Sequence, residues 1–182
     1  MNATIPVHEL QQLVESGSPR AAPVFRSLIA YLRAAMPQLH QQTPATLGDE
    51  ERLVRAYLEL MLMRMPDRLA FAVEIEPSLR ALPFPPMALL TLVENAIRHG
   101  IDPGTEGGHI EVGGRTQPDG GVHLWVADTG VGLASESAGP GTGLRNLRER
   151  LQAFFGPGAN VALSEQAPHG VRADIRVTPT AP

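Results

Sequence analysis

The sequence predicts a two-layer α/β sandwich preceded by a helical segment, and three observations support this fold class. Up to about residue 66, apolar residues recur at every third or fourth position, as on one face of a helix. From Leu69 the pattern changes to alternation, with Phe71, Val73 and Ile75 on one side of a strand. Further strand-like runs are then separated by helical runs or joined by tight turns, as expected of a sheet covered by helices.

The first 66 residues are predicted to form helices. A first helix is expected around residues 10–14. A second begins after Ser18-Pro19, a cap residue followed by a proline in the first turn. Its predicted apolar face consists of Val24, Leu28, Ile29, Leu32 and Met36. Residues 41–44 interrupt the pattern, and a third helix is expected from about Gly48 until Pro66 stops it.

The remainder of the chain is predicted to alternate between strands and helices. After the strand that begins at Leu69, strands are expected at residues 109–115, 122–127, 160–164 and 171–177. One helix is expected over residues 86–99 and another over residues 143–155. The inward-facing residues predicted for the later helix are Leu144, Leu147, Leu151 and Phe154.

Composition excludes several classes of protein. The formal net charge of −4 disfavours a nucleic-acid binder. All 15 basic residues are Arg, so a P-loop, which needs a Lys at the phosphates, is excluded. The chain has no Cys, which excludes disulfides and thiolate metal sites and agrees with a cytoplasmic location. No run approaches the roughly 18 apolar residues of a membrane span, so we expect membrane attachment only through a region upstream.

The helix predicted over residues 86–99 carries the polar side chains best suited to bind a ligand or to take part in a reaction. Asn95 lies three residues before Arg98 and four before His99, so the three share one edge of a helix. An Asn carbonyl can join phosphate oxygens and waters around Mg²⁺, and Arg98 can bind phosphate. Glu94 could orient a metal-bound water or accept a proton. The alternative is a Glu94–Arg98 surface ion pair beside a solvated Asn.

Two glycine-containing turns follow this helix. Asp128 ends a predicted strand, and its carboxylate can accept the amine hydrogens of adenine but not pair with the oxygen of guanine. Gly130 and Gly132 let the backbone pass beneath a base without a Cβ. Alone, this pattern also fits an ordinary strand-ending turn.

The second glycine-containing turn precedes the helix that begins near Leu144. Free N–H groups at that helix start would form an anion site for phosphates, and residues 133–142 would form a short lid. A Rossmann loop is excluded because this turn follows no strand and its glycines lack the Gly-x-Gly-x-x-Gly spacing. A plain surface loop is compatible with the lid interpretation.

These motifs, in this order, resemble the sensor histidine kinases of the LytS/YehU type, members of the GHKL ATPase superfamily. The matching text is Leu92-Val93-Glu94-Asn95-Ala96-Ile97-Arg98-His99-Gly100, then Asp128-Thr129-Gly130-Val131-Gly132, then Gly141-Thr142-Gly143-Leu144. The resemblance implies a Bergerat-type ATP-binding fold over residues 67–182 and part of a helical dimerisation and phosphotransfer segment over residues 1–66. It implies ATP and Mg²⁺ as ligands, with Asn95 as the magnesium ligand, Glu94 and Asn95 as catalytic residues and Asp128 as the adenine reader. The other nucleotide-binding residues that it implies are Arg98, His99, Gly130, Gly132, Gly141, Thr142, Gly143 and Leu144.

The resemblance fails at the phosphoacceptor. The family carries its acceptor in a His-Phe-Leu-Phe-Asn motif, which this sequence lacks, and His8 is the nearest candidate. We therefore expect a histidine kinase fragment that in the intact protein forms a homodimer through its N-terminal helices and phosphorylates a His and then a response regulator receiver domain. The intact protein is expected to be cytoplasmic or the cytoplasmic part of an inner-membrane sensor. The alternatives are a non-catalytic ATP-sensing or partner-binding module and, less favoured, a structural dimerisation protein.

Overall fold

The computed structural model describes residues 15–40, 45–132 and 142–178, apart from the side chains of residues 37–40 and 142. In chain order its elements are α1 (Ala21–His40), α2 (Leu47–Arg64), β1 (Leu69–Ile75), α3 (Ala88–Asn95), β2 (Gly108–Thr116), β3 (Val122–Asp128), α4 (Thr142–Phe155), β4 (Ala159–Glu165) and β5 (Val171–Val177). A π-helical turn, Ala96–Ile101, continues α3. The helix expected around residues 10–14, the break at 41–44 and the candidate acceptor His8 lie outside the described residues.

The five strands form one mixed sheet in the order β1-β2-β3-β5-β4. β1 runs parallel to β2, and the remaining neighbours are antiparallel. Along each strand, successive side chains point to opposite faces. The inner face is apolar and buried, as shown by Ile110, Val112, Leu124 and Ile175. The predicted two-layer α/β sandwich is therefore confirmed, and the predicted strand positions are correct to within one residue at each end.

Helix α2 packs against α1, with which it forms a helical hairpin, and also against the rest of the fold. It begins with a capping box, in which the Asp49 N–H donates to Thr46 Oγ1 (3.2 Å) and the Thr46 N–H donates to Asp49 Oδ2 (2.8 Å). Its apolar side chains, with Leu53 and Leu58 fully buried, join one continuous core that extends through α3 to the sheet. Two acids of its first turns, Glu50 and Glu51, are also buried. No helix within the described residues is long and apolar enough to cross a membrane.

Helix α1 carries two apolar stripes rather than the single predicted one. Val24 and Leu28 pack against the core together with Tyr31 and Ala35, and the Tyr31 ring lies 5.9 Å from that of Tyr57. The residues of the second stripe, which faces outward, are Phe25, Ile29, Leu32 and Met36. The predicted apolar face is therefore divided: Val24 and Leu28 pack against the core, whereas Ile29, Leu32 and Met36 are exposed. Both stripes have helical spacing, and only the position of α2 decides which one is covered.

Two further predictions are corrected by tertiary contacts. Phe154 was expected to face inward, but its side chain is 41% exposed. Phe155 packs in its place, with its ring 5.7 Å from that of the fully buried Phe84. The helix predicted over residues 86–99 begins two residues later and changes at Asn95 into the wider π turn. In that turn the Asp102 N–H donates to the carbonyl of Ile97, five residues earlier.

Candidate functional site

Asp128 is the buried carboxylate at the centre of the candidate site. It ends β3, is 4% exposed, and its Oδ1 accepts a hydrogen bond from the Gly130 N–H at 2.9 Å. Burial raises the pKa of Asp128, while the backbone N–H groups of Gly130 and Val171 act in the opposite direction. An ionised carboxylate is an acceptor-only group with about four lone-pair directions, so these contacts leave it able to accept from a further donor.

Glycines enclose this carboxylate because the backbone approaches it closely. A Cβ on Gly100 would lie 2.5 Å from Oδ1 of Asp128, and a Cβ on Gly130 would lie 2.2 Å from the carbonyl oxygen of Gly100. The Val131 N–H also donates to the Gly100 carbonyl at 3.0 Å. The structure therefore brings the end of the Leu92–Gly100 motif into direct contact with the Asp128–Gly132 motif, although 27 or more residues separate them in sequence.

Thr129 holds the turn after β3 in place, and the sequence analysis missed it. Its hydroxyl accepts a hydrogen bond from the His109 N–H at 2.9 Å, and its own N–H donates to the His109 carbonyl at 3.0 Å. The turn is thereby fastened to the first residues of β2. A hydroxyl residue directly after a strand-ending Asp was the only signal, and such residues are common in turns of any kind.

The polar residues of α3 divide between two environments. Glu94 and Asn95 are half-buried, whereas Arg98 and His99 are exposed on the π turn. Burial raises the pKa of Glu94, and after burial the Glu94 carboxylate is the next cause that raises the pKa of Tyr57 on α2. Glu94 therefore lies on the side of α3 that faces the helical hairpin. Within the described residues no ion pair joins Glu94 to Arg98, so the surface ion pair considered above is not formed.

Two arginines that precede β1 in the chain contact the end of the π turn and the residues just after it. The Arg68 guanidinium donates to the carbonyls of Ile101 (3.3 Å), Asp102 (3.4 Å) and Gly104. Arg64, at the end of α2, forms an ion pair with Asp102 at 3.4 Å. A cation that precedes β1 thus binds the carbonyls at the end of the π turn and just after it. Neither arginine was among the residues to which the sequence pattern assigned a role.

The glycine-rich segment is described only at its downstream end. Residues 133–141, which include Gly141 and all of the predicted lid (residues 133–142) except its last residue, lie outside the described residues. Helix α4 begins at Thr142, of which only the backbone is described. The next residue, Gly143, is exposed. Leu144 is buried beneath this helix start and belongs to the core. The predicted inward position of Leu144 is therefore confirmed, and its role in nucleotide binding stays a prediction.

The side-chain oxygens near the end of α3 suit a metal ion that is bound jointly by the protein and by a nucleotide. Mg²⁺ prefers oxygen ligands and usually binds one or two protein oxygens together with substrate phosphates and water. The half-buried Asn95 amide and Glu94 carboxylate supply such oxygens on adjacent residues. Among the described residues, no cluster of three or more acidic, His or Cys side chains is placed to hold a metal without such a partner.

Comparisons with known proteins agree with this fold. A family model described as "Histidine kinase" matches residues 7–69. The chain is 30% identical over 165 residues to the sensor histidine kinase/phosphatase LytS of Staphylococcus aureus, an alignment that covers 84% of this chain and 28% of LytS. The chain therefore spans little more than a quarter of that relative's length.

Solved structures show the same architecture. The histidine kinase domain of the blue-light activated kinase EL346 from Erythrobacter litoralis has a TM-score of 0.58 at 14% identity, covering 97% of this chain and 88% of that domain. Full-length ShkA in complex with AMPPNP has a TM-score of 0.54 at 22% identity, covering 88% of this chain and 36% of ShkA. At these identities the likeness concerns the fold.

Proposed function

We propose that this chain, which belongs to the histidine kinase family, is the ATP-binding catalytic part of a sensor histidine kinase of a two-component system. We assign residues 67–182 to the catalytic domain and residues 1–66 to a partial dimerisation and phosphotransfer segment. The observation that carries the proposal is the buried carboxylate of Asp128, held by backbone N–H groups and enclosed by glycines.

Asp128 has the chemistry needed to select adenine. Its carboxylate can accept a hydrogen bond from the exocyclic amine of adenine, whereas guanine would present an oxygen to it. The bond would form in a buried environment, where an unmatched polar group is costly and discrimination is therefore strong. An adenine nucleotide of this kind, AMPPNP, is present in the structure of ShkA.

Phosphoryl transfer would depend on positioning and on charge neutralisation. When bound, Mg²⁺ would neutralise charge on the phosphates, with Asn95 as its protein ligand and Glu94 in support. Arg98 and His99, exposed on the π turn, and the helix start at Thr142 and Gly143 would face the phosphates. The γ-phosphoryl group would leave ADP as it bonds to a His nitrogen, and would then pass to an Asp carboxylate of a response regulator.

The outward stripe of α1 supports a homodimer of the intact protein. Phe25, Ile29, Leu32 and Met36 follow one another at intervals of four, three and four residues, which is the spacing of a seam between paired helices. Each of these side chains is 43–57% exposed in the single chain. A second copy that packs against this stripe would bury it, and the proposed phosphotransfer segment would then be shared between two chains.

The acceptor histidine decides between this proposal and its alternative. The alternative is an ATP-sensing or partner-binding module that moves no phosphate, since residues 1–182 do not contain the His-Phe-Leu-Phe-Asn motif. His8 lies inside the family match at residues 7–69 and is the candidate acceptor in this chain. Incubating the full-length protein with labelled ATP separates the two, because only a kinase accumulates phosphate that acid releases.

Titration calorimetry with ATP, with and without Mg²⁺, tests the nucleotide site directly. Asp128→Asn replaces an acceptor with an amide donor at the same volume, so we expect affinity to fall about 10- to 100-fold. Asn95→Ala should remove the enhancement by Mg²⁺ and leave magnesium-free binding unchanged. The matched control is Asp174→Asn, which makes the same exchange on β5, where Asp174 bonds His123 and Arg172. An unsubstituted chain that does not bind ATP, or an equal loss in the control, would contradict the proposal.

A further inference from the structure

Glu50 of helix α2 is a fully buried acid whose carboxylate binds the start of another helix. Its side chain is 0% exposed. Oε1 accepts a hydrogen bond from the Met87 N–H at 2.6 Å, and Oε2 accepts from the N–H groups of Leu89 (2.8 Å) and Leu90 (3.4 Å). A carboxylate from α2 therefore caps the N-terminus of α3, the helix that carries Glu94 and Asn95.

Helix α3 needs a cap from elsewhere in the fold. The first N–H groups of any helix lack intrahelical partners, and Ala88, Leu89 and Leu90 are too buried for water to supply them. Met87, which precedes the helix with φ +60°, is not among the residue types that cap helices with their own side chains. A negative charge at this position also interacts favourably with the helix dipole.

A third helix, α4, also contacts the start of α3. Arg150 of α4 donates to the Pro86 carbonyl at 3.2 Å and to the Thr91 hydroxyl at 3.4 Å. Burial raises the pKa of Glu50 to about 7, against the effect of the three backbone N–H groups and of Arg150. The segment from Pro86 to Thr91 is thus held by a carboxylate from α2 and a guanidinium from α4.

The position of this cap sets the position of the residues at the other end of α3. The helix has eight residues, so Asn95 lies about 9 Å along the axis from Leu89 at about 1.5 Å per residue. Over so short a distance a helix moves as one body. A shift or rotation of α3 at its capped end would therefore displace Glu94 and Asn95 by a similar amount.

We propose that Glu50 is a positioning residue for the phosphate end of the nucleotide site, coupling the register of α2 to the affinity for Mg²⁺-ATP. This inference rests on the function proposed above and adds a structural route to it. The adenine end of the site is built on β3 around Asp128, which Glu50 does not contact. Loss of the cap should therefore weaken the contribution of magnesium and phosphates and spare that of adenine.

The neighbouring Glu51 provides a matched control. It is also buried on α2, at 5% exposure, but its carboxylate accepts hydrogen bonds from Arg55 (3.1 Å) and Arg80 (2.7 Å) instead of the α3 backbone. Glu50→Gln and Glu51→Gln thus remove the same charge from adjacent buried sites. Any general loss of stability is expected in both variants, whereas a positioning effect is expected in Glu50→Gln alone.

The experiment measures calorimetric affinities for ATP with Mg²⁺, ATP without Mg²⁺, and adenosine. It is run at about pH 8, where the Glu50 carboxylate is ionised, and at a temperature at which circular dichroism shows each full-length variant to be folded. We expect Glu50→Gln to lose about tenfold of the magnesium enhancement, comparable with the loss of one charged hydrogen bond, and to keep its adenosine affinity. Glu50→Asp, which keeps the charge on a shorter side chain, should show a smaller loss and serves if Glu50→Gln does not fold.

Three outcomes would overturn the inference. A magnesium enhancement in both Glu50 variants equal to that of the unsubstituted chain would show that the cap does not position the site. An equal loss in Glu51→Gln would assign the effect to stability. If the unsubstituted chain binds adenosine and ATP without any magnesium enhancement, the proposed function itself fails at the metal, and this inference fails with it.

Discussion

Two aspartates on adjacent strands show how differently the two faces of the sheet use the same side chain. Asp174 of β5 lies on the outer face, 2.6 Å from His123 Nε2 and 3.0 Å from Arg172 Nε. Asp128, at the end of β3, instead has backbone N–H donors and glycines around it. Although burial acts to raise it, hydrogen bonds from His123 and Arg172 hold the pKa of Asp174 below its usual value, whereas burial raises that of Asp128.

The difference separates a structural cluster, around Asp174, from the proposed recognition site, around Asp128. On the outer face, the Arg172 guanidinium donates a hydrogen bond to Asp174 and lies 5.0 Å from the centre of the Trp125 ring. The positive charge of Arg172 is therefore already paired within the protein. Around Asp128, backbone N–H groups hold the carboxylate in place, and no ion pair within the described residues neutralises it. Such an acceptor can bind a donor of a ligand, and this is why we propose that the nucleotide base binds at Asp128.

The largest effect is expected from adding a methyl group beside Asp128. Gly100→Ala would place a Cβ 2.5 Å from Oδ1, so we expect a loss of about 3 kcal/mol in the free energy of unfolding and the loss of ATP binding. Gly113→Ala is the control on the outer face, where its Cβ would lie 2.0 Å from an indole carbon of Trp125. It should also destabilise the fold in urea titrations but retain ATP binding; loss of binding in both would remove the distinction between the faces.

The next effect concerns pH and Glu50. Its pKa of about 7 in the folded chain exceeds the usual 4.5, so the folded state binds the proton more tightly. The resulting stabilisation is fully present below about pH 4.5 and is lost as pH rises through 7. Relative to Glu50→Gln, the unsubstituted chain should therefore lose about 3 kcal/mol of unfolding free energy between about pH 4 and pH 8. A flat difference between the two urea-derived curves, or a slope of opposite sign, would refute this.

The smallest effect is expected on the outer face. Because the folded-state pKa of Asp174 is lowered, its contribution is present above the usual value of 3.8 and is lost as pH falls through the folded-state pKa. Asp174→Asn should therefore cost about 1–2 kcal/mol of stability at neutral pH, and the difference from the unsubstituted chain should shrink in acid. Thermal unfolding at a series of pH values measures this. A variant as stable as the unsubstituted chain at neutral pH would show that the cluster contributes nothing.

Much of the fold was predictable because its signals are local. The alternation from Leu69 and the helical spacing from Leu144 to Leu151 depend only on neighbours a few residues away. Predicted strand ends were correct to within one residue because glycine, proline and polar residues mark the turns. The error at Phe154 has the complementary cause: Phe154 and Phe155 both suit the helix period, and the position of Phe84 selects between them.

The candidate site was predictable as a set of motifs but not as a geometry. The order of the Asn95, Asp128 and Gly141–Gly143 motifs implied an ATP-binding domain, and the solved histidine kinases share its fold. That order did not reveal the contact of Gly100 with Asp128, the arginine support of the π turn or the carboxylate cap from Glu50. Each of these joins residues between 28 and 40 positions apart in the chain.

The sequence by itself determined which segments form helices and strands, which function classes are excluded and which family the chain resembles. These conclusions rest on periodicity, turn residues and residue types, and they need no knowledge of distant neighbours. Only the tertiary structure decided which stripe of α1 is covered, where α3 widens into a π turn and which acid on α2 caps α3. Those outcomes depend on burial and on backbone groups that must find partners, and both are defined only when distant segments pack together.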